Sequence, residues 1–380
     1  MSALQKIADV LIVLPVLDPS GAERVVAELA KRLPALGFPV SVLCLEDETA
    51  PIGIELKNAG ISVSGLRLSR RASFRCGEAI ARHIRGMQLN RPLIVCSQLF
   101  HANIAARLAA KKLSASERKS VYFLSAIQVA ERRFRPWQFW FDRVTAKYAC
   151  YEICVAKSVA SFQRKRTNLP ATFFKVVENG NDLAPYAALP ALRERRESDA
   201  LRVVSVGRLN KQKDYPTLLR AWERVEQSLP RARLEIAGSG PEESRLKALA
   251  AKLKLQRVAF AGFCSDVPGF LDGADLYVQS SAWEGLPLSV FEAMAAGRPV
   301  IASAVDSVPD MIENGRTGIL FERGNDAELA SRMVDLANDF PRAQALGFAA
   351  REMALKRFSA DRMAAEYAAL FEQVLSEHKA

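Results

Sequence analysis

The chain alternates short apolar runs with longer segments in which apolar positions recur every three to four residues. Short runs rich in β-branched residues predict buried strands, and the longer periodic segments predict amphipathic helices. In the first half, the predicted strands are Val10–Leu14, Val40–Leu45, Pro92–Ser97, Val121–Ser125 and Tyr151–Ala156. The predicted helices between them include Ala22–Leu36, Gly77–Gln88, Asn103–Leu113 and Pro136–Ala149. Strands that alternate with helices indicate a mostly parallel sheet with helices on both faces.

The same alternation begins again near Leu201. The second half has six predicted strands: Arg202–Val206, Arg233–Ala237, Val258–Ala261, Leu276–Gln279, Pro299–Ala302 and Gly318–Phe321. Its predicted helices are Tyr215–Leu229, Glu242–Leu253, Leu288–Ala296 and nearly the whole chain from Asp326 onward. The stretch Ala184–Ala200 lacks a strand pattern and contains two prolines, which predicts a domain boundary near residues 180–200.

Length supports this division, because a single core seldom grows past about 250–300 residues and the chain has 380. We therefore predict an α/β protein with two Rossmann-like, doubly wound domains, residues 1–182 and 183–380, that face a central cleft. The last helix is predicted to return to the N-terminal domain.

The net positive charge of the chain comes from its first half. The sequence carries 53 Lys and Arg against 42 Asp and Glu, a net charge of +11. Residues 1–182 hold 27 basic and 15 acidic side chains, whereas residues 183–380 hold 26 and 27. This asymmetry predicts that the two halves face different partners.

Composition and motif content exclude several classes of protein. With 49% hydrophobic and 25% charged residues, the chain is typical of a globular protein. No run approaches the roughly 20 apolar residues that a transmembrane helix needs. The first apolar run, Val10–Leu17, contains Pro15 and lacks a cleavage site, so we interpret it as a strand and expect a cytoplasmic protein. Six scattered cysteines predict reduced thiols and no zinc site.

The most specific motif follows the predicted strand Leu276–Gln279. It reads Glu284-Gly285-Leu286-Pro287-Leu288-Ser289-Val-Phe-Glu292. Pro287 suits the first turn of a helix, where a missing N–H costs nothing. The free N–H groups of Leu288 and Ser289 at that helix N-terminus can hold a diphosphate. The carboxylates of Glu284 and Glu292 flank it and can accept hydrogen bonds from sugar hydroxyls.

Two further clusters follow strands of the second half. Gly207 ends a strand, and Arg208 and Lys213 follow it on a loop, where their cationic groups can bind phosphate oxygens. The alternative is that these are ordinary surface charges on a turn. Gly238 opens a Gly-Ser-Gly-Pro turn that leads into a helix, which is a weaker indication of ligand contact.

Two candidate residues lie in the first half. Gly21 follows the first strand at the start of a helix, so the backbone there can approach a ligand closely. His101 follows the strand Pro92–Ser97 and is one of only three histidines. Ligands of open parallel sheets bind beyond the carboxyl ends of strands, which makes His101 a site candidate. The alternative is a structural or helix-capping imidazole.

These motifs together resemble glycosyltransferase family 4. The resemblance rests on Glu284-x7-Glu292, Gly207-Arg-Leu-x-x-Gln-Lys-Asp, Asn179-Gly180-x-Asp182 and Gly21-Ala-Glu-Arg, and it spans nearly the whole chain. The family implies the GT-B fold and the transfer of a sugar from a nucleotide donor with retention of the anomeric configuration. The acceptor is expected to attack on the leaving group's own face.

The resemblance also implies the roles of single residues. It assigns catalysis to four side chains: His101, Glu284, Arg208 and Lys213. It assigns donor binding to a larger set: Gly21, Gly207, Arg208, Lys213, Gly238, Phe263, Glu284, Gly285, Leu286, Pro287, Leu288, Ser289 and Glu292. Within that set Phe263 would contact the base and Glu292 the ribose. Many members carry a histidine where this chain has Gln98, whereas some read His-x-x-His-Ala-Asn, so both Gln98 and His101 match a family position.

No Asp-x-Asp motif occurs in the sequence, which disfavours a diphosphate held through a metal ion. Cationic side chains and helix N-termini would then neutralise the leaving nucleotide diphosphate. We predict no metal and no cofactor, with a UDP- or GDP-sugar as co-substrate.

The segment 67–166 concentrates the charge, with 21 basic and 5 acidic side chains. Within it, aromatic and basic residues interleave: Arg132, Arg133, Arg135, Trp137 and Trp140. This pattern favours contact with an anionic membrane or acceptor. The alternative is a helix with its aromatics in the core and its arginines in solvent. The absence of a nucleic-acid motif argues against nucleic acid as a partner.

We therefore predict a metal-independent hexosyltransferase that acts on a glycan or lipid-linked acceptor in bacterial surface polysaccharide or lipopolysaccharide synthesis. It is expected in the cytoplasm, with peripheral contact at the inner face of the membrane. Two alternatives stay open: a phosphorylase or synthase of the same fold that uses a free sugar or sugar phosphate, and a non-catalytic nucleotide-sugar-binding protein.

Overall fold

The computed structural model describes residues 7–69, 72–130, 135–193 and 200–378. The chain divides into two compact units: Met1–Asn181 with Ala360–Ala380, called here the first unit, and Asp182–Ser359, called the second unit. Each unit is built on one parallel β-sheet with helices between the strands. The predicted α/β class with two doubly wound sheets is confirmed.

The first unit begins with thirteen alternating elements among the described residues. They are β1 (Asp9–Leu14), α1 (Gly21–Arg32), β2 (Val40–Cys44), α2 (Pro51–Asn58), β3 (Ser62–Gly65), α3 (Ser73–Gly86), β4 (Leu93–Gln98), α4 (Leu99–Lys112), β5 (Val121–Ile127), α5 (Pro136–Thr145), β6 (Tyr151–Cys154), α6 (Lys157–Thr167) and β7 (Phe174–Val176). The sheet order is β3-β2-β1-β4-β5-β6-β7, and every pair is parallel.

The second unit repeats the arrangement. Its elements are α7 (Ala184–Ala187), β8 (Arg202–Val206), α8 (Tyr215–Ser228), β9 (Arg233–Ala237), α9 (Glu243–Lys252), β10 (Val258–Gly262), α10 (Val267–Leu271), β11 (Leu276–Gln279), α11 (Leu288–Ala295), β12 (Val300–Ser303), α12 (Val308–Met311), β13 (Ile319–Phe321), α13 (Asp326–Asn338) and α14 (Phe340–Arg357). The sheet order is β10-β9-β8-β11-β12-β13, again parallel throughout.

The central strands of both sheets are buried on both faces, which is why they are mostly apolar rather than apolar at alternate positions only. In the first unit, Leu11 and Val95 pack with α3 and α4 residues such as Ile80 and Ala105. In the second unit, the fully buried Trp222 of α8 lies in the core with Val203 and other residues of β8, β9 and β11.

The last helix, α15 (Ala360–Glu377), belongs to the first unit. The Ala360 N–H donates to the Asn181 carbonyl at 2.9 Å. The buried Phe371 ring meets Phe38 edge-on at 5.6 Å between centroids. The Tyr151 hydroxyl donates to the carboxylate of Glu377 at 2.5 Å. This helix is therefore an integral part of the first core.

A buried polar cluster joins α4, α5, β6 and α6. The Arg107 side chain is fully buried and pairs with the carboxylates of Asp142 and, at 2.7 Å, Glu152. Its Nε also donates to Ser125 Oγ at 3.0 Å. The Gln163 amide donates to Asp142 at 3.2 Å and to Glu152 at 3.3 Å. One guanidinium thus compensates two buried carboxylates and ties α5 to the sheet.

Several element boundaries differ from the predicted ones. The α-helix predicted for Ala22–Leu36 ends at Arg32 and continues as a 3₁₀ turn, because Pro34 lacks the N–H that an α-helix interior requires. The helix predicted for Pro136–Ala149 likewise ends at Thr145. The strand predicted for Tyr151–Ala156 stops at Cys154. The helical C-terminal region consists of the three helices α13, α14 and α15.

Candidate functional site

The strand order reverses at one place in each sheet, between β1 and β4 in the first and between β8 and β11 in the second. Open parallel sheets bind ligands beyond the carboxyl ends of the strands at such a reversal. The segment after β8 carries Lys213, and the segment after β11 carries Glu284. The fold therefore brings two residues that are 71 positions apart to one edge of the second sheet.

The Lys213–Glu284 ion pair is the centre of the candidate site. Lys213 Nζ lies 2.6 Å from Glu284 Oε1. The same oxygen accepts from Ser281 Oγ at 2.6 Å and from Gln279 Nε2 at 3.2 Å. Gln212 Nε2 donates to the other carboxylate oxygen at 3.2 Å. Since Glu284 is only 3% exposed, these donors satisfy both oxygens of a buried carboxylate.

One buried polar atom of this cluster has no hydrogen-bond partner among the described residues. Gln279 is 4% exposed, and its Oε1 atom is buried without a hydrogen-bond partner among the described residues. Buried polar atoms are rarely left unpaired. A ligand hydroxyl that donates to this oxygen would satisfy it, so the cluster around Glu284 is suited to a polyhydroxylated ligand.

Main-chain contacts fix Lys213 relative to Glu284. Ser280 Oγ donates to the Lys213 carbonyl at 2.9 Å, and the Ala282 N–H donates to the Gln212 carbonyl at 2.7 Å. The loops after β8 and β11 are thus joined directly, and the ion pair does not depend on two independently moving segments.

The loop after β12 supports Glu284 from the other side. The Glu284 N–H donates to Asp306 Oδ2 at 2.9 Å, and Ser307 Oγ donates to the Gly285 carbonyl. Asp306 has a φ of 46°, in the left-handed region that non-glycine residues seldom occupy. Neither Asp306 nor Ser307 was predicted from the sequence, where their only signal is their position after β12, the strand next to β11.

The glycines after β8 and β9 allow two loops to pack backbone against backbone. A Cβ on Gly238 would lie 2.0 Å from the Gly207 carbonyl oxygen, and one on Gly240 would lie 2.4 Å from the Leu209 carbonyl oxygen. Gly238 also has a φ of +145°. This packing explains the glycine at position 238 without a ligand, and its predicted contact with the donor stays a prediction.

Two buried tyrosines lie beneath this edge of the sheet. The Tyr215 hydroxyl donates to the Gly207 carbonyl at 3.0 Å, and the Tyr277 hydroxyl donates to the Val206 carbonyl at 3.4 Å. Burial raises the pKa of both phenols, although hydrogen bonds with Ser205 and Ser289, respectively, oppose the shift. Both therefore stay neutral donors that hold the end of β8 in place.

Helix α11 starts four residues after Glu284. Pro287 is its N-cap and not a first-turn residue as predicted, so the helix begins at Leu288. The first N–H groups of a helix have no intrahelical acceptor, and Leu288 and Ser289 are partly exposed. Glu292 lies in the second turn and is 6% exposed. The helix N-terminus thus offers donors for an anion four residues after Glu284 in the chain.

Arg208 and Phe263 are accessible residues after β8 and β10. Arg208 is exposed, and it forms no ion pair with any carboxylate of the described residues. Phe263 is 57% exposed. Both side chains are available to a ligand, whereas Gly285, Leu286 and Pro287 are buried and act through the backbone.

In the first unit, Gly21 and His101 lie at the corresponding reversal. Gly21 is the exposed first residue of α1, and Ser20 Oγ donates to the carboxylate of Glu23 within that turn. His101 lies in the first turn of α4, half-buried, with its ring edge-on to Phe100 at 5.5 Å. Between β4 and His101, Leu99 has a φ of 68°, a strained geometry for a leucine.

Gln98 has structural contacts of its own. It is 1% exposed, and its Oε1 accepts from Gln128 Nε2 at 2.9 Å. Gln128 in turn accepts from Asn179 of the Asn-Gly-x-Asp motif at 2.9 Å. Tyr367 of α15 also hydrogen-bonds Gln98. Of the two positions, His101 is the more accessible to a ligand.

The aromatic and basic segment is only partly described. Arg132 and Arg133 lie outside the described residues. Arg135, Trp137 and Trp140 are exposed, with the two indoles at 58% and 62%. The alternative that places these aromatics in the core is therefore wrong for both tryptophans, whereas Phe139 of the same helix is buried.

Two features are absent from the described residues. No three His, Cys, Asp or Glu side chains there cluster so as to hold a metal ion. No helix in the described part of the chain has the length and apolar character needed to cross a bilayer.

Comparison with known families identifies both halves of the chain. Residues 19–185 match the family described as Glycosyltransferase Family 4, and residues 193–353 match Glycosyl transferases group 1. Among curated proteins, the putative glycosyltransferase EpsD of Bacillus subtilis is 36% identical over 184 residues, which are 47% of this chain and 48% of that protein. The lipopolysaccharide core biosynthesis glycosyltransferase LpsD of Rhizobium meliloti is 30% identical over 200 residues, which are 52% of this chain and 57% of LpsD. The chain spans about half the length of the curated relatives it matches.

A solved structure is similar along nearly the whole chain. HepE from Anabaena, crystallised with UDP and glucose, superposes with a TM-score of 0.80 at 19% sequence identity, covering 96% of this chain and 99% of HepE. At this identity the likeness concerns the fold.

Proposed function

Because the chain belongs to the glycosyltransferase group 1 and family 4 families, we propose that it transfers a hexose from a nucleoside diphosphate sugar to a glycan or lipid-linked acceptor. The observation that carries this proposal is the ion pair between partly buried Lys213 and buried Glu284 at the reversal between β8 and β11. It combines a cation for phosphate with a carboxylate for sugar hydroxyls, and the exposed N-terminus of α11 follows in the same motif.

In this proposal the donor diphosphate binds to Lys213, to Arg208 and to the N–H groups of Leu288 and Ser289. Cationic groups and a helix N-terminus favour an anion at this position. The sugar hydroxyls donate to Glu284, whose geometry is held by its four side-chain donors.

The nucleoside occupies the adjoining surface. Glu292 accepts hydrogen bonds from the ribose, and the exposed ring of Phe263 contacts the base. HepE was crystallised with UDP, which makes UDP the first nucleotide to test here.

The chemical step breaks the bond between the anomeric carbon and the diphosphate oxygen. The electron pair of that bond leaves with the nucleoside diphosphate, and the acceptor oxygen forms the new bond on the same face, so configuration is retained. The acceptor's proton goes to the departing phosphate oxygen. Lys213 and Arg208 stabilise the charge that develops on the leaving group, the part of the reaction in which fixed charges contribute most.

The acceptor is proposed to bind through the first unit. Relatives such as LpsD act in lipopolysaccharide core biosynthesis by name, which supports an anionic or lipid-linked glycan. Gly21 and His101 lie at the carboxyl edge of the first sheet. We propose for them the roles that the family resemblance implies: Gly21 in donor binding beside the diphosphate, and His101 in catalysis.

Donor binding is tested by thermal unfolding with UDP-, GDP- and ADP-sugars. We expect one of these nucleotide sugars, at 100 times its dissociation constant, to stabilise the protein by about 2.7 kcal/mol. Arg208→Gln is expected to weaken that donor about tenfold or more, since a hydrogen bond to a charged group contributes roughly 1.5–3 kcal/mol. Arg245→Gln, an exposed arginine of α9, is the matched control. If no nucleotide sugar stabilised the protein, the proposal would be contradicted. If the protein used inorganic phosphate to cleave a glycan and release a sugar phosphate, the phosphorylase alternative would be favoured.

Transfer is also expected to continue in excess EDTA, because side chains and helix N–H groups take the place of a metal at the diphosphate. The measurement is the initial rate of nucleoside diphosphate release before and after chelation. A complete loss of rate that Mg²⁺ or Mn²⁺ restores would show that the diphosphate is held through a metal.

A further inference from the structure

An exposed aromatic surface spans α3 and α5 of the first unit. It consists of Phe74, Trp137, Trp140, Phe141 and Val144. Phe74, Trp137 and Trp140 are 69%, 58% and 62% exposed, and Val144 is 38% exposed. The partly buried Phe141 connects the two helices, with its ring 6.1 Å from Phe74 and 6.4 Å from Trp140 between centroids. The four α5 residues follow i, i+3, i+4, i+7 spacing and form one stripe along the helix.

The opposite face of α5 fixes the stripe outward. Phe139 is buried and meets Phe162 of α6 edge-on at 6.0 Å between centroids. Asp142 is buried and paired with Arg107. Rotating the helix to bury its tryptophans would break this ion pair and expose Phe139. The aromatic surface is therefore a stable feature of the fold, and large exposed apolar patches of this kind mark interaction sites.

Charge identifies the partner. The two stretches that carry the aromatic surface, 72–86 and 135–147, contain six Lys and Arg residues and two carboxylates. Of the carboxylates, Glu78 pairs with Lys112, and Asp142 is buried with Arg107. Arg143 and Lys147 are exposed and follow Trp140 and Val144 by three positions each, along the border of the stripe. The surface is thus apolar at its centre and positive at its edge, so a second copy of the chain would be repelled.

We propose that the aromatic surface docks on the face of an anionic lipid bilayer. The rings of Phe74, Trp137 and Trp140 enter the headgroup region, where amphipathic aromatic side chains are most stable. Arg143 and Lys147, with Arg75 and Arg135 at the helix starts, meet the lipid phosphates. The helix lies on the membrane and does not cross it. This inference rests on the first unit alone and is independent of the proposed donor site.

The test is co-sedimentation of the full chain with phosphatidylcholine vesicles that contain or lack phosphatidylglycerol. We expect binding to the anionic vesicles only. The double variant Trp137→Ser/Trp140→Ser should bind at least tenfold more weakly, and Arg143→Gln about fivefold more weakly, as each basic residue near the surface contributes roughly that factor. The matched controls are Phe348→Ser, which removes a 74% exposed aromatic of α14, and Lys252→Gln. Neither should change binding.

A second readout identifies the contact directly. Brominated lipids should quench the fluorescence of the wild type, and the double variant should lose that quenching. Equal binding to both vesicle types, or an unchanged double variant, would overturn the proposal. If the wild type bound a single-stranded oligonucleotide more tightly than anionic vesicles, and the double variant lost that binding, the surface would be assigned to nucleic acid instead. A dimer that the double variant converts to a monomer would assign it to self-association.

Discussion

Replacing Lys213 by methionine is expected to lower kcat/KM for sugar transfer by about 10²- to 10³-fold, the usual loss when one preorganised group that stabilises a developing anion is removed. Lys213 is the only described cation within ion-pair distance of Glu284, and in the proposed function it is one of the two side-chain cations that stabilise the departing diphosphate. Methionine keeps the length of the side chain, and Glu284 retains its neutral donors from Ser281, Gln279 and Gln212. The protein should therefore stay folded. Initial rates with the donor found by thermal unfolding provide the measurement.

The matched control is Lys211→Met, which removes an exposed lysine from the same loop. Its rate should stay within about twofold of wild type, because an isolated surface charge contributes little. If both variants lost activity equally, the effect would be one of general charge. If neither did, Lys213 would have no part in transfer.

Replacing Arg107 by methionine is expected to lower the free energy of unfolding by about 3–5 kcal/mol, since removing one member of a buried ion cluster leaves the other charges uncompensated. Methionine fills much of the same volume, so the loss is chiefly electrostatic. The measurement is urea unfolding followed by tryptophan fluorescence. Arg245→Met is the control: its arginine is 70% exposed and pairs only with Glu242, so a change below about 0.5 kcal/mol is expected. Similar losses in both variants would contradict this view of Arg107.

The same cluster makes stability depend on pH. Burial, and then the charge of Asp142, raise the pKa of Glu152 from 4.5 to about 7. The folded state therefore holds a proton that the unfolded state releases, and the stability this confers is present at low pH and lost as the pH rises through about 7. Wild type should lose stability between about pH 4.5 and 7, and Glu152→Gln should flatten that slope. The loss in free energy of unfolding caused by Arg107→Met should be smaller at the lower end of this pH range.

The sheets could be predicted well because their central strands are buried on both faces. Val10–Leu14 is a continuous apolar run, and Arg202–Val206 carries three valines, of which Val203 and Val204 are buried. A parallel sheet buried on both faces favours such strands. The edge strands Ser62–Gly65 and Phe174–Val176 were not predicted. They have only four and three residues, some of them polar, which is too short for a recognisable hydrophobic pattern. Helix α6, Lys157–Thr167, was missed because its sequence is mostly polar and shows no clear apolar stripe.

The candidate site was predictable in its parts and not in its assembly. The motifs named Lys213 and Glu284 separately, but no local pattern indicates that the two form a direct ion pair. The supporting contacts from Ser281, Gln279 and Asp306 depend on which loops meet at the sheet edge, and that follows from the strand order. Arg107 and Glu152 are 45 positions apart, and a lone arginine in a helix has no sequence signal for burial.

The position of α15 has a consequence for biosynthesis. The second unit is one continuous stretch, Asp182–Ser359, whereas the first is interrupted by it and resumes at Ala360. On the ribosome the second unit can complete its core as soon as it emerges. The first unit must wait, with Phe38 lacking its partner Phe371, until the last helix has been translated. Although domains generally fold in order of synthesis, here the part made first is the part finished last.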